Sequence, residues 1–346
     1  MQEKILDQEE PIFHGKTAII LHGLFRTALN TATSFNKNVS DYLDADVFYC
    51  GYKYSDKPLP THGGEYDKFG FMKKNPKNTT EIDSSNEITD KILNEVYGDR
   101  LKSSYLHETK SEDLMEMLAG IDNSQILFQL IPSRFLSMFH NIENGYKLVT
   151  KFEEKNKFKY DNIVIARPDL AFYSALDLEK LKKGTMLIPS GMGFHPHTGT
   201  RNYGLVEPLY YKNVNNGTCI PTGMHFNDQL MALKRIDCFI LNELLTDCVN
   251  YMKMKVPFTP ETILYYHFSA MHRLKVLPTE KWLYEIFRVG APQVENITDL
   301  PLLERFDPHH PIVKDRARKS RFKYYLKDVR RNFYFYKNKI KTLIQG

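Results

Sequence analysis

The chain has 346 residues, enough for one large domain or two modest ones, and its 42% hydrophobic and 26% charged content is ordinary for a folded globular protein. It has no run of ~18 apolar residues, so no membrane-spanning helix is expected. The acidic, polar start "MQEKILDQEEPIF" lacks the layout of a secretory signal. Cys50, Cys219, Cys238 and Cys248 are scattered and form no CxxC pair, which argues against a disulfide framework and a structural zinc site. A cytoplasmic protein is the expectation.

The net charge of +5 is unevenly spread. Between Lys314 and Lys341 there are 12 Lys/Arg against two acids, Asp315 and Asp328, whereas the other residues carry 35 bases and 40 acids. A mildly acidic body with a strongly basic tail points to a partner for the tail.

In chain order, "KTAIILHGLFRTA" reads as a strand, Thr17 to Leu21, followed by a Gly-containing turn. A helix follows through "LNTATSFNKNVSDYL", then a second short strand in "ADVFYCGY". Strand, helix, strand in that order suggests a βαβ unit and a parallel sheet. Residues 53–84 are polar and rich in Pro, Gly, Asn and Lys, and read as a long functional loop, with Tyr66, Phe69 and Phe71 as stacking candidates for a sugar.

Residues 126–155 read as a helix, with Ser133 as its cap after Pro132. Leu136, Phe139, Ile142, Tyr146, Val149 and Phe152 give it one apolar face. It feeds the strand "NIVIA", and a third crossover is the inference. "TMLIPS" is another strand, followed by a Gly/His/Asn-rich region from Gly191 to Gly223. "NDQLMALKRIDCFILNELLTDCVNYM" is expected to be a helix capped near Asn227, and "PETILYYHFSAMHRL" a further helix with Pro260 at its start. The organisation expected is one domain over residues 1–313 and a basic amphipathic helical tail over 314–346.

Two familiar chemistries fail on inspection. "IILHG" looks like the first strand and oxyanion turn of an α/β-hydrolase, but no GxSxG occurs anywhere. Gly15 to Thr17 looks like the end of a phosphate loop, but Glu10 stands where the earlier Gly is required and the triplet precedes its strand.

More informative is the end of the mid-chain strand, where Arg167, Pro168 and Asp169 interrupt an apolar run. In an open α/β sheet, ligands bind beyond the carboxyl ends of the parallel strands. Asp169 there can ligate a hard cation or accept hydrogen bonds from a sugar, and Arg167 offers a fork of donors for phosphate. A structural ion pair is the competing reading. Arg26 follows the first strand in the same way, after Gly23, whose lack of a side chain lets the backbone approach a ligand. Two arginines at two strand ends would converge on one anion, a nucleotide diphosphate being the natural one. A solvated Arg26 on the first helical turn is the alternative.

Taken together, "HGLFRTA", "KYDNIVIARPDLAF", "HFNDQLMALKRIDCF" and "PETILYYHF", in that order over roughly residues 16–280, resemble a group of bacterial and large-virus proteins. Those are related to nucleotide-sugar-dependent glycosyltransferases of the GT-A type and assemble lipopolysaccharide or capsule. The resemblance implies an α/β, GT-A-like fold with a mostly parallel central sheet flanked by helices. It implies a nucleotide-sugar donor, a cell-surface glycan or glycolipid acceptor, and a divalent cation, manganese or magnesium. "RPD" stands where the family has Asp-x-Asp, so Asp169 matches the metal carboxylate while Arg167 replaces the first aspartate. Asp228 in "FNDQ" would be the general base or bind the acceptor. His267, or His272 five residues on, would be the late histidine on the metal. Ordinary helix residues are the other reading of both.

The expected site is thus Asp169 and Asp228 for catalysis, Gly23, Arg26, Arg167 and Asp169 for the donor, and Asp169 with His267 for the metal. The missing first aspartate keeps a different class open, a non-catalytic glycan- or nucleotide-binding protein on the same fold. His195, His197 and His225 are read as acceptor contacts, loop residues or, least favoured, a metal site. In the tail, Phe322, Tyr325, Leu326, Val329, Phe333 and Tyr336 fall at helical steps among Lys and Arg. That is a helix suited to an anionic membrane surface, with nucleic acid or a protein partner as competing readings. No nucleic-acid module accompanies it, so a protein peripheral on the inner face of the membrane is expected.

Overall fold

The computed structural model describes residues 15–56, 82–109, 112–121, 132–189, 226–254, 256, 259–279 and 282–286. It also describes short strand pieces at 65–66, 72–74, 194–195, 200–201, 209–212 and 219–222. Seven strands form the central sheet: β1 Thr17–His22, β2 Asp46–Tyr52, β3 Leu101–His107, β4 Asn162–Ala166, β5 Thr185–Pro189, β6 Leu230–Lys234 and β7 Lys275–Thr279. Their spatial order is β7-β5-β6-β4-β1-β2-β3. Every ladder is parallel except the two that β6 makes, with β4 and β5. The α/β class and the mostly parallel, helix-flanked sheet are as expected.

β1 and β4 are buried at every position. A parallel strand covered on both faces has no solvent side, which is why "TAIILH" and "NIVIA" are near-continuous apolar runs. Successive residues still point to opposite faces. Ala18, Ile20, Ile163 and Ile165 join one core with Leu136, Phe139, Ile142, Tyr146 and Val149 of α3 (Pro132–Asn156). Ile19, Leu21, Val164 and Ala166 join the other, with Phe35 of α1 (Ala28–Phe35) and Leu93 and Tyr97 of α2 (Asp90–Tyr97). The apolar stripe expected along α3 is therefore the side that lies on the sheet. Gly145 allows its closest approach, since a Cβ there would stand 2.3 Å from Ile20 Cγ2.

Three expectations are corrected. "NDQLMALKRIDCFILNELLTDCVNYM" is not one helix. Its "LMALK" is β6, followed by a 3-10 segment, Arg235–Leu241, and then α4, Leu244–Lys253. A short apolar run reads equally well as buried strand or buried helix, and here four of its five residues are buried in the gap between β4 and β5. Ser133 lies inside the first turn of α3 instead of capping it. The polar stretch 53–84 is not wholly loop. Tyr54–Asp56 pairs antiparallel with Ile82–Glu87, while Phe69 and Phe71 lie outside the described residues. Residues 126–131, His197, His225 and the whole 314–346 tail also lie outside them. Among the described residues no helix is long and apolar enough to cross a membrane.

Candidate active site

The order of the sheet brings the carboxyl ends of β1 and β4 beside the start of β6. Leu21 pairs with Ala166, and Ala166 with Leu230, so His22, Arg167 and Gln229 emerge at one level. Arg167 N–H donates to Gln229 O at 3.1 Å, continuing the β4–β6 ladder one step past the strands. Because β6 runs antiparallel, the residues before it, Asn227 and Asp228, sit at the same sheet edge as the residues after β1 and β4. This is the crevice where α/β sheets bind ligands.

At its centre Asp169 is almost fully buried, 1% exposed. Arg167 holds it with two parallel bonds, Nε to Oδ1 at 2.9 Å and Nη2 to Oδ2 at 2.6 Å. Arg26 adds a third from Nη1 to Oδ2 at 3.4 Å. Bidentate guanidinium–carboxylate geometry fixes the planes of both partners, so Asp169 aims the Arg167 head, while one longer bond ties the Arg26 head to the same carboxylate. The two arginine side chains remain partly solvent-accessible, at 23% and 28%. Burial works against the Arg167 charge, yet the Asp169 carboxylate outweighs it and keeps the guanidinium above its ordinary pKa.

The turn around these residues is held from behind. Thr31 of α1 donates its hydroxyl to Pro168 O at 2.8 Å, and Ser34 accepts from Phe172 N at 3.1 Å. The strand Leu170–Phe172 pairs antiparallel with Tyr284–Ile286. On the other turn Gly23 has φ +102, its N–H bonds Cys50 O at 3.0 Å and its carbonyl accepts from Tyr49 Oη at 2.8 Å. Gly23 thus serves a left-handed turn, and Gly51 must also be glycine because a Cβ there would stand 2.1 Å from Gly23 O. Arg26 itself has φ +44, a conformation that costs a non-glycine residue about 1–3 kcal/mol, and Ser55 Oγ anchors its N–H at 3.1 Å.

Asp228 stands half-buried beside this pair. Its pKa is pushed above the usual carboxylate range by burial, with Arg167 opposing and Asp169 adding to the rise. The turn presenting it is rigid: Asn227 Oδ1 accepts from Gln229 N at 2.9 Å, Asn227 Nδ2 donates to Tyr284 Oη, and Tyr284 donates to Gln229 Oε1 at 3.1 Å.

Two further groups belong here and were not singled out from the sequence. Glu261, in the first turn of α5 (Pro260–Tyr265), has its pKa raised to about 7, first by burial and then by the negative charge of Asp228. Thr259 caps that helix, accepting from Thr262 N at 3.0 Å. His22, at the very end of β1, is 2% exposed with Nε2 unpartnered among the described residues, and burial together with Arg167 pulls its pKa down to about 3, so it is neutral. The signal for His22 was available, since it is the last residue of a buried strand. The signal for Glu261 was not, because only the sheet order carries it to Asp228.

Of the expected site, Arg26, Arg167, Asp169 and Asp228 gather, with Gly23 shaping the turn. His267 does not join them. It is fully buried on the α4/α5 side, with Nδ1 3.0 Å from Tyr251 Oη and Nε2 3.0 Å from Ile240 O. None of its contacts reaches Asp169, so the expected Asp169–His267 metal pair is not assembled. Both Asp169 oxygens are also committed to guanidinium groups. The oxygen donors that suit a hard cation are instead Asp228 and Glu261, two carboxylates close enough that the charge of one disfavours the other.

No family model matches the chain, and no curated protein does. Among solved structures it is similar to core-mannan synthase A from Aspergillus fumigatus in its Mn/GDP form, at a TM-score of 0.41 and 10% identity over 78% of this chain and 74% of that one. A likeness of that size bears on neither activity nor site.

Proposed function

We propose that the chain is a nucleotide-sugar-dependent glycosyltransferase that extends a cell-surface glycan, lipopolysaccharide or capsule. The observation that carries this reading is the convergence of Arg26 and Arg167 on Asp169 at the carboxyl ends of β1 and β4, with the Asp228–Glu261 pair alongside. Two aimed guanidinium groups suit a diphosphate, and a carboxylate with a pKa about 7 suits proton transfer at neutral pH.

In the reaction, Arg26 and Arg167 bind the donor's diphosphate and stabilise the charge that grows on it as the anomeric C–O bond breaks. The nucleoside diphosphate leaves with the bonding pair. The acceptor hydroxyl oxygen bonds to the anomeric carbon, and its proton passes to the Asp228–Glu261 pair. A divalent cation held by one of those carboxylates and the donor phosphates would supply further charge neutralisation. The basic tail, 314–346, would hold the protein on the anionic inner face of the membrane, where a lipid-linked acceptor resides.

A thermal-shift screen of nucleoside diphosphates and nucleotide sugars, with and without manganese, tests the donor site. Stabilisation by one base is expected, reduced at least tenfold in apparent affinity in Arg167→Lys, together with turnover of the matching donor. No stabilisation by any of them would sink the reading. Binding without turnover would support the non-catalytic alternative, which the pairing of both Asp169 oxygens with guanidinium groups favours. Liposome flotation with and without residues 314–346 tests the membrane claim, which unchanged flotation would remove.

A further inference from the structure

On the sheet face covered by α4 and α5, three metal-binding side chains converge away from the arginine cluster. Asp247 comes from α4, while His267 and His272 come from the segment that continues α5. One ligand atom from each lies within 4.8 Å of the others, His267 Nδ1 being 3.9 Å from Asp247 Oδ2. The two imidazole centroids are 4.6 Å apart.

Backbone geometry explains the convergence. In an α-helix, residues five apart diverge by roughly 140° around the axis, so His267 and His272 would point different ways. Tyr266–Met271 is instead a π-helical turn, closed by His272 N–H donating to His267 O at 3.1 Å. Its wider turn brings i and i+5 to one side, and such turns recur at functional sites.

The hydrogen bonds of His267 add an independent observation. Its Nε2 lies 3.0 Å from Ile240 O, and since a carbonyl only accepts, Nε2 carries the proton. Nδ1 therefore presents a lone pair toward Asp247, with the Tyr251 hydroxyl donating to it at 3.0 Å. A histidine whose far nitrogen donates to a backbone carbonyl, fixing tautomer and ring plane, is the arrangement found behind metal ligands.

We propose that Asp247, His267 and His272 form a transition-metal site of the zinc class that ties α4 to the segment after α5. Two imidazoles and one carboxylate, without a thiolate, suit zinc, cobalt or nickel better than magnesium or calcium. Zinc bonds of about 2.0–2.1 Å in a tetrahedron place donors roughly 3.4 Å apart. Asp247 and His272 are both half-exposed, and binding would draw them that distance inward, the metal taking the place of the Tyr251 hydroxyl on Nδ1. This site is separate from the donor site proposed above and stands whether or not that reading holds.

The test uses the full, untagged chain with zinc or cobalt as probe. One equivalent of zinc is expected to bind and to raise the melting temperature, and the cobalt adduct should show the visible bands of a four- or five-coordinate ion. His272→Ala and Asp247→Asn, at partly exposed positions, should each weaken binding at least tenfold while the metal-free variants melt as the parent does. Arg167→Lys should bind zinc as the parent does. Failure to retain zinc, or retention undiminished in His272→Ala and Asp247→Asn, overturns the assignment, the latter placing the metal on other histidines.

Discussion

Replacing Glu261 by Gln should stabilise the protein in alkali far more than in acid, and the size of the effect follows from the site. The carboxyl titrates at about 7 in the fold against 4.5 for an ordinary Glu, because burial and the neighbouring Asp228 both disfavour its charge. A raised carboxylate pKa means the folded state binds the proton more tightly than the unfolded state, so stability falls as pH rises through the window from 4.5 to about 7. Each pKa unit is worth about 1.4 kcal/mol, so the full cost of ionising Glu261 approaches about 3 kcal/mol, of which about 2 kcal/mol develops between pH 5 and pH 8. Gln keeps the shape of the neutral acid and removes that cost. Urea unfolding of both proteins at pH 5, 6, 7 and 8 should show curves that diverge with pH, the variant becoming the more stable by about 2 kcal/mol over the range. Asp228→Asn should bring the Glu261 titration toward its ordinary value and shrink the divergence. A Gln-minus-wild-type difference that stays constant with pH would refute the reasoning, since no ordinary packing effect of the substitution titrates in that window.

Other perturbations probe the frame and the arginines. Glu153 is buried under Arg235, with bonds of 2.8 and 2.6 Å, while Arg235 Nη1 also reaches Tyr146 Oη at 2.8 Å. Glu153→Ala strands that guanidinium and should cost about 3 kcal/mol or more in denaturant unfolding, whereas a loss below about 1 kcal/mol would show the pair to be solvated. Gly145→Ala drives a Cβ to 2.3 Å from Ile20 Cγ2 and should cost about 1–3 kcal/mol despite the helix propensity it gains. Combining it with Ile20→Ala should be sub-additive, and strict additivity would refute the contact. Arg26→Gly releases the left-handed strain at φ +44, so its stability should stay within about 1 kcal/mol of wild type while the apparent affinity for a nucleoside diphosphate, read by thermal shift, falls about tenfold. Equal losses of stability and binding would mean that Arg26 is structural only.

How far the sequence could be read depended on whether a feature was local. β1, β2 and β4 showed themselves because strands buried on both faces are written as short apolar runs, and α3 because its buried side repeats at helical steps. β3 was missed, since an edge strand that leaves Ser103, Ser104 and Tyr105 partly exposed carries little apolar pattern. β6 was misread because "LMAL" is too short to declare its period and runs straight into a 3-10 turn and a helix. That misreading touches the site directly. Asp228 was singled out through the resemblance of "FNDQ" to the family's later acidic motif, yet it sits where it does because β6 is a strand, and an antiparallel one. Had β6 run parallel, its leading residues would lie at the opposite edge of the sheet from Arg167. The reversal of a single strand is what sets the Asp228 carboxylate against Arg167. α5 then adds Glu261 from 33 residues further along the chain, a distance over which no local pattern could have joined the two.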